Sequence, residues 1–382
     1  MKYSFDNIAK RKGTNSVKYD EFPFSLPMWV ADMDYPVAPK IKEAIQKQLD
    51  IGAIGYSLIP DKYFYSFINF YNSHFETCFK LEEMVYCSGL VASIDSIFKR
   101  IGKDGDNVVI LTPIYHTFFS CIKNSKRNAL ECDLIFDGET YSVDFIDLEN
   151  KLKLKESSIL LLCNPHNPIG RIFTKEELKR IAQLADKYHV FVISDEIHGL
   201  IASPNKRYVP YSLVSKNDYY VTCLATSKAF NLAGLQSACI QIPNKEIRVM
   251  LHQGFYQDDI GEPNYFAVSA NIAAFNESED WLNEMNEYVY QNKLYFYRYI
   301  EENIPSLKVV KGDATYMLWV DIRKVSNDSR EFVKKLSEKT GLLVSPGAQF
   351  GKNGEGFFRI NLATSLKNVK LALGKLEEFV GK

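Results

Sequence analysis

This chain of 382 residues lacks the marks of most specialised protein classes. Neither charge is in excess: 46 Lys and Arg face 47 Asp and Glu, for a formal net charge of −1. No basic stripe interleaved with aromatics is present, which argues against an electrostatic nucleic-acid binder. No apolar run approaches the roughly 20 residues of a membrane span, and Ile159–Cys163 is only strand-sized. Met1 to Asp20 is polar and charged, without the apolar core of a signal peptide, so a cytoplasmic location is expected. The seven cysteines are odd in number, scattered and free of any CxxC pair. That pattern fits reduced, buried thiols, and no His or Cys spacing suggests a metal. Internal repeats, low-complexity tracts and flexible linkers are absent too. What is abundant is aromatic side chains, at 13 %. Most are expected in the core, with some free to form a stacking surface for a flat cofactor.

The length suggests about two domains. Val108–Leu111, Ile159–Cys163, Val190–Ile193 and Val221–Ala225 are short, continuous apolar runs. Strands buried on both faces of a largely parallel sheet have this appearance. Between the second and third runs Thr174 and Glu177 form a capping box, with Phe173 and Leu178 as a hydrophobic staple. Leu178, Ile181, Ala182, Ala185 and Tyr188 then follow helical spacing, so the region reads as an α/β domain. Beyond about residue 265 the pattern changes to long helical segments up to 300. Tyr316–Asp321, a helix near 328–340, and Phe357–Asn361 follow. The expected division is a large domain over 45–280 and a smaller α+β domain from 1–44 and 281–382, closing over a cleft.

In doubly wound sheets ligands bind beyond the carboxyl ends of the strands, so the residues just after each strand form one candidate set. Cys87-Ser88-Gly89-Leu90-Val91 opens a helix with a glycine, which suits a phosphate. Thr112-Pro113-Ile114-Tyr115 brings an aromatic ring to the mouth of the cleft. Asn164-Pro165-His166-Asn167-Pro168-Ile169-Gly170 has two Asn-Pro steps that force an extended, turned backbone and fix its amide side chains. Asp195 ends a buried strand in Ser194-Asp195-Glu196-Ile197-His198. Paired with a pyridine nitrogen, its carboxylate would keep that nitrogen protonated and the ring an electron sink. Ser227-Lys228-Ala229-Phe230-Asn231 offers an amine for an aldehyde and hydroxyls for a phosphate, the needs of pyridoxal phosphate. Plainer readings stand beside these: His198 as a packing or hydrogen-bond partner, His166 as loop surface, and Asp32 and Asp34 as helix caps or pocket residues.

Asn-Pro-His-Asn-Pro-Ile-Gly, Asp-Glu-Ile-His, Ser-Lys-Ala-Phe-Asn and the late Phe-Arg-Ile-Asn occur in the order found in fold-type I pyridoxal-phosphate enzymes. Over nearly its whole length the chain resembles the class I/II aminotransferase superfamily. Met28-Trp29-Val30-Ala31-Asp32-Met33-Asp34-Tyr35, Ile54-Gly55-Tyr56-Ser57 and Asp195-Glu196-Ile197-His198 look like the PatB/MalY-type cystathionine β-lyases, also called C–S lyases. The resemblance implies a fold-type I α/β transferase fold, with a mainly parallel seven-stranded sheet in the large domain plus the smaller α+β domain. It implies pyridoxal 5'-phosphate held as an imine on Lys228, with Asp195 on the pyridinium and Asn167 on the ring phenolate oxygen. Tyr115 would stack over the ring and His198 would lie beside it. Gly89, Leu90 and Ser227 would hold the phosphate, and Tyr56 would reach the phosphate of a neighbouring subunit in a homodimer with shared sites. Arg359 would grip the α-carboxylate of an amino-acid substrate, with Asn167 and Tyr56 nearby.

Two positions depart from the pattern. Ala225 stands where many aminotransferases have a phosphate-binding Ser, with Thr226 as a candidate substitute. Gln236 stands where the aspartate-aminotransferase group has an Arg. The implied reaction is α,β-elimination from cystathionine or a related cysteine S-conjugate, giving pyruvate, ammonia and a thiol. Lys228 would be the base, Trp29–Asp34 would line the substrate pocket, and Tyr115 or Tyr56 would assist the departing sulfur. The alternative is an aminotransferase of an aromatic or other neutral amino acid. A non-catalytic regulator is disfavoured because Lys228 and Arg359 are both present.

Overall fold

The computed structural model describes residues 2–24 and 26–381. Seven strands form the main sheet: β1 (Met84–Cys87), β2 (Asn107–Thr112), β3 (Asn128–Asp133), β4 (Ser157–Cys163), β5 (Phe191–Asp195), β6 (Tyr220–Leu224) and β7 (Ala238–Gln241). Their order is β1-β7-β6-β5-β4-β2-β3. β7 runs antiparallel to both its neighbours, and the other six are mutually parallel. This is the fold-type I architecture that the resemblance implies.

The apolar runs pack as period-two strands with both faces covered. Val108, Ile110, Ile159, Leu161 and Ile193 enter one core cluster, while Val109, Leu111, Leu160, Leu162 and Val192 enter the cluster on the other face. Burying each such side chain contributes about 1.5–3 kcal/mol. The helix over Lys175–Lys187 begins with the expected capping box. Thr174 Oγ1 accepts the Glu177 N–H at 3.1 Å, and Glu177 Oε2 accepts the Thr174 N–H at 2.9 Å.

A second, antiparallel sheet is built from β8 (Lys308–Val309), β9 (Met317–Asp321), β10 (Ser345–Pro346) and β11 (Phe357–Asn361), in the order β8-β9-β11-β10. The helices Ala267–Glu277 and Glu279–Asn303 occupy the long helical region. Ser329–Thr340 is capped by Asp328, which accepts the Glu331 N–H at 2.8 Å. Among the described residues no helix is long and apolar enough to cross a membrane.

The N-terminal segment links the two sheets. Leu26–Pro27 pairs in parallel with Leu342–Leu343, and Met28 O then accepts the Asn361 N–H at 2.9 Å. Residues 29–35 continue without regular structure. Unpaired carbonyls in such a stretch are costly to bury, and here each has a donor. Arg359 Nη2 reaches Trp29 O, Asn361 Nδ2 reaches Val30 O and Asp32 O, and the Ala9 N–H reaches Asp34 O. Asn231 Nδ2 reaches Met33 O and Tyr35 O, while Lys228 and Tyr316 share Ala31 O.

Candidate active site

At the carboxyl ends of β1, β4, β5 and β6 lies a cavity of about 220 Å³. At one end Gly89 precedes the helix Leu90–Arg100 with φ +107°, a conformation open to glycine and strained for other residues. A Cβ there would also stand 2.9 Å from Gln236 Oε1. The first N–H groups of that helix have no intrahelical acceptor. Leu90, Val91, Ala92, Ala225, Ser227, Gln236 and Ser237 complete this end, and none of them is a carboxylate. Amide dipoles, hydroxyls and a helix N-terminus make a setting for a dianion.

The other end holds Asp195, delivered by the last residue of β5 and 3 % exposed. The Ile197 N–H, at 3.2 Å, donates to it. Burial pushes its carboxyl up to about 7, partly offset by that N–H and by Lys228. Such a group gains from a cationic N–H set against it. A protonated pyridine nitrogen meets that need, so the two ends fit the phosphate and the ring nitrogen of pyridoxal phosphate.

Lys228 follows β6 on its loop, and its Nζ donates to Ala31 O at 2.9 Å. Burial first, then the charge of Arg359, lowers its pKa, while Asp32 and Asp195 oppose the change. Arg359 comes from β11 and is buried. Its Nη1 donates to Asn167 Oδ1 at 3.1 Å and its Nη2 to Trp29 O at 3.0 Å, and the guanidinium lies 4.8 Å from the Phe350 ring centroid. Nε has no partner among the described residues, and burial brings the pKa down to about 10. The bond to Oδ1 orients the Asn167 amide and leaves Nδ2 free to donate. Tyr115 lines the cavity, with its ring edge-on to Phe118 at 5.4 Å. His198 is buried, its Nδ1 without a partner among the described residues, and burial, then Lys228 and Arg359, push its pKa down to about 3. It is a neutral imidazole near neutral pH.

Gly89, Leu90, Tyr115, Asn167, Asp195, His198, Ser227 and Lys228 thus share one cavity, with Arg359 joined to it through Asn167. Tyr56 is apart, fully exposed on the irregular segment 51–60. Other expectations are corrected. Thr226 does not face the cavity, because its hydroxyl donates to Asn271 Oδ1 at 2.7 Å in the interior. Trp29–Asp34 gives the cavity wall Ala31 alone. Trp29 packs on Phe22, and Asp32 and Asp34 pair with Arg11 and the buried Lys18, at 2.5 Å and 2.7 Å. His166 is not loop surface; it is fully buried, with Nε2 2.8 Å from Pro113 O. Phe118 and Ser237 line the cavity without having been expected there, and Tyr316, equally unexpected, joins the site through its bond to the Ala31 carbonyl. A backbone carbonyl carries no sequence signal, and Tyr316 sits in what reads as a strand.

The class I and II aminotransferase family model matches residues 29–376, and the chain belongs to that family. It is 32 % identical to cystathionine beta-lyase PatB of Bacillus subtilis, with 98 % of this chain and 99 % of that protein covered. It is 29 % identical to protein MalY of Escherichia coli, with 94 % of each covered. Among solved structures, the PLP-bound C-S lyase from Staphylococcus hominis matches with a TM-score of 0.94 at 29 % identity, covering 100 % of this chain and 98 % of that one. Cystalysin from Treponema denticola, which contains a pyridoxal 5'-phosphate cofactor, matches with a TM-score of 0.95 at 29 % identity, covering 99 % of each.

Proposed function

We propose that this pyridoxal-phosphate-dependent C–S lyase cleaves cystathionine or related cysteine S-conjugates by α,β-elimination, yielding pyruvate, ammonia and a thiol. The cofactor and the lyase class are supported by the relatives just described and by a cavity that suits pyridoxal phosphate at both ends. The observation that carries the reading is Lys228, its buried amine held on Ala31 O and subject to the charges of both Arg359 and Asp195.

When bound, the cofactor supplies a ring that accepts the electron pair left at Cα once its proton is removed. The chain does the rest. Asp195 would hold the pyridine nitrogen and stabilise its protonated form. Arg359, whose Nε has no partner among the described residues, would take the α-carboxylate, and Asn167 Nδ2 would donate to the ring oxygen. Lys228, whose charged form is disfavoured by burial, would take the Cα proton. As the C–S bond breaks, its electron pair leaves with sulfur. The departing thiolate takes a proton from Lys228 or from the Tyr115 hydroxyl; Lys228 would then take back the cofactor and free the three-carbon enamine, which water hydrolyses to pyruvate and ammonia. Gly89, Leu90 and Ser227 would hold the phosphate, with His198 as a neutral neighbour in the same cavity.

A homodimer belongs to the same proposal. Ile51, Ile54, Tyr56 and Leu58 are all more than 60 % exposed on one extended segment, which suits cover by a second copy and delivery of Tyr56 to that copy's site. The cytoplasm is the proposed compartment, in keeping with seven unpaired cysteines, six of them buried. Incubation with cystathionine tests the reaction. Pyruvate and thiol should form in equal amounts without an added keto acid. Turnover only when a keto acid is supplied would favour transamination, which uses the same residues up to removal of the Cα proton. Lys228→Ala should lose both pyruvate formation and the visible imine absorbance.

A further inference from the structure

Ala31 O receives two donors from distant parts of the chain. Lys228 Nζ reaches it from the loop after β6, and the Tyr316 hydroxyl from the residue before β9, each at 2.9 Å. A carbonyl oxygen has two lone pairs, so the two bonds saturate it. Tyr316 is fully buried, and burial, then the charge of Asp32, raises its phenol pKa, so it serves as a donor. The chain is bent to deliver it. Thr315 has φ +59°, which is strained for a β-branched residue and persists only where the surroundings impose it. Those surroundings are the Thr315 N–H bond to Ile201 O at 2.8 Å and the Met317 N–H bond to Thr315 Oγ1 at 3.1 Å.

We propose that Tyr316 is a positioning residue for proton transfer: its hydroxyl fixes the Ala31 carbonyl on which the free amine of Lys228 docks. The proposal rests on the reading of Lys228 as the Schiff-base lysine. An amine on a four-carbon stem has many rotamers, and the step at Cα needs one of them. With one N–H on Ala31 O, the neutral amine keeps its lone pair for the Cα proton. Ala31 lies in irregular backbone, so the second bond from Tyr316 limits how far its carbonyl can tilt. A misplacement of about 1 Å at such a centre costs on the order of 10²-fold in rate.

The test is Tyr316→Phe in the holoenzyme, which keeps the ring and removes the hydroxyl. Tyr297→Phe is the control, because it loses a comparable bond, 3.1 Å to Val310 O, away from the cavity. Four readouts are taken: kcat, KM, the kinetic isotope effect with α-deuterated cystathionine, and the visible imine absorbance. Tyr316→Phe should keep the absorbance and hold KM within about threefold. Its kcat should fall roughly 10- to 100-fold, and its isotope effect should exceed that of the parent enzyme. A kcat within twofold of the parent, an equal fall in Tyr297→Phe, an unchanged isotope effect or a lost imine band would each overturn the proposal. Lys228→Ala is read separately: imine absorbance persisting in that variant would sink the Schiff-base assignment itself.

Discussion

Asp195→Asn should stabilise the cofactor-free protein while damaging the holoenzyme, and the size of the effect follows from its burial. In the folded chain the Asp195 carboxyl is pushed from an ordinary 3.8 to about 7, chiefly by desolvation. Because the folded pKa is the higher one, the folded state binds a proton that the unfolded state has released. Stability from this group is therefore fully present below about pH 3.8 and is lost as pH rises toward and through 7. Each pH unit of that difference corresponds to 1.36 kcal/mol, so the loss saturates near pH 8 at roughly 4 kcal/mol. Asparagine has the same shape and does not ionise. Cofactor-free Asp195→Asn should match the parent protein near pH 4 and exceed its stability by a few kcal/mol at pH 8. Urea unfolding of both proteins across pH 4.5–8.5, followed by circular dichroism, measures this directly. In the holoenzyme the advantage should reverse, since a neutral amide cannot hold the pyridine nitrogen protonated, and kcat should fall by two or more orders of magnitude. A stability difference that does not grow with pH would refute the assignment of a raised pKa to Asp195.

Arg359→Lys keeps the charge but loses the planar fork that bridges Asn167 and Trp29; kcat/KM should drop roughly 10- to 100-fold, mostly through KM, in steady-state assays. Gly89→Ala places a Cβ 2.9 Å from Gln236 Oε1 at φ +107°; equilibrium titration should show weaker cofactor binding, with the Lys228 imine still forming at saturation. Thr174→Ala removes the capping-box hydroxyl of the helix over Lys175–Lys187; stability should fall by about 1 kcal/mol in urea melts with activity unchanged.

The strands and the residues just after them were legible because parallel strands buried on both faces leave unbroken apolar runs. β4 and β5 announce themselves this way. β3, Asn128–Asp133, does not, since as an edge strand it is half-exposed and mixes Asn, Glu and Asp into its pattern. β7 spans only four residues, ending in a buried Gln. The helix Asp61–Phe75 hides behind Tyr and Phe, residues that favour strands by propensity and are helical here because they pack on the helix Ala267–Glu277. In the site, Asp195 and Lys228 could be placed because each sits at or just beyond the end of a buried strand. The pairing of Lys18 with Asp32 and Asp34 could not, because it depends on how irregular backbone folds back on itself.

The segment 29–35 shows why two motifs extend past their functional residues. Lys228 is followed three positions later by Asn231, whose amide donates to Met33 O and Tyr35 O and accepts the Met33 N–H. Arg359 is followed two positions later by Asn361, whose amide donates to Val30 O and Asp32 O. Both motifs thus join a cavity group to an amide that holds the same irregular segment. Between these anchors lies Ala31, whose carbonyl docks the lysine. A helix or strand would consume such carbonyls in its own ladder, whereas irregular backbone leaves them for side chains, provided that each finds a donor. The Trp-Val-Ala-Asp-Met-Asp run therefore marks the site by its backbone. The side chains of Trp29, Asp32 and Asp34 turn instead to Phe22, Arg11 and Lys18, which anchor the segment.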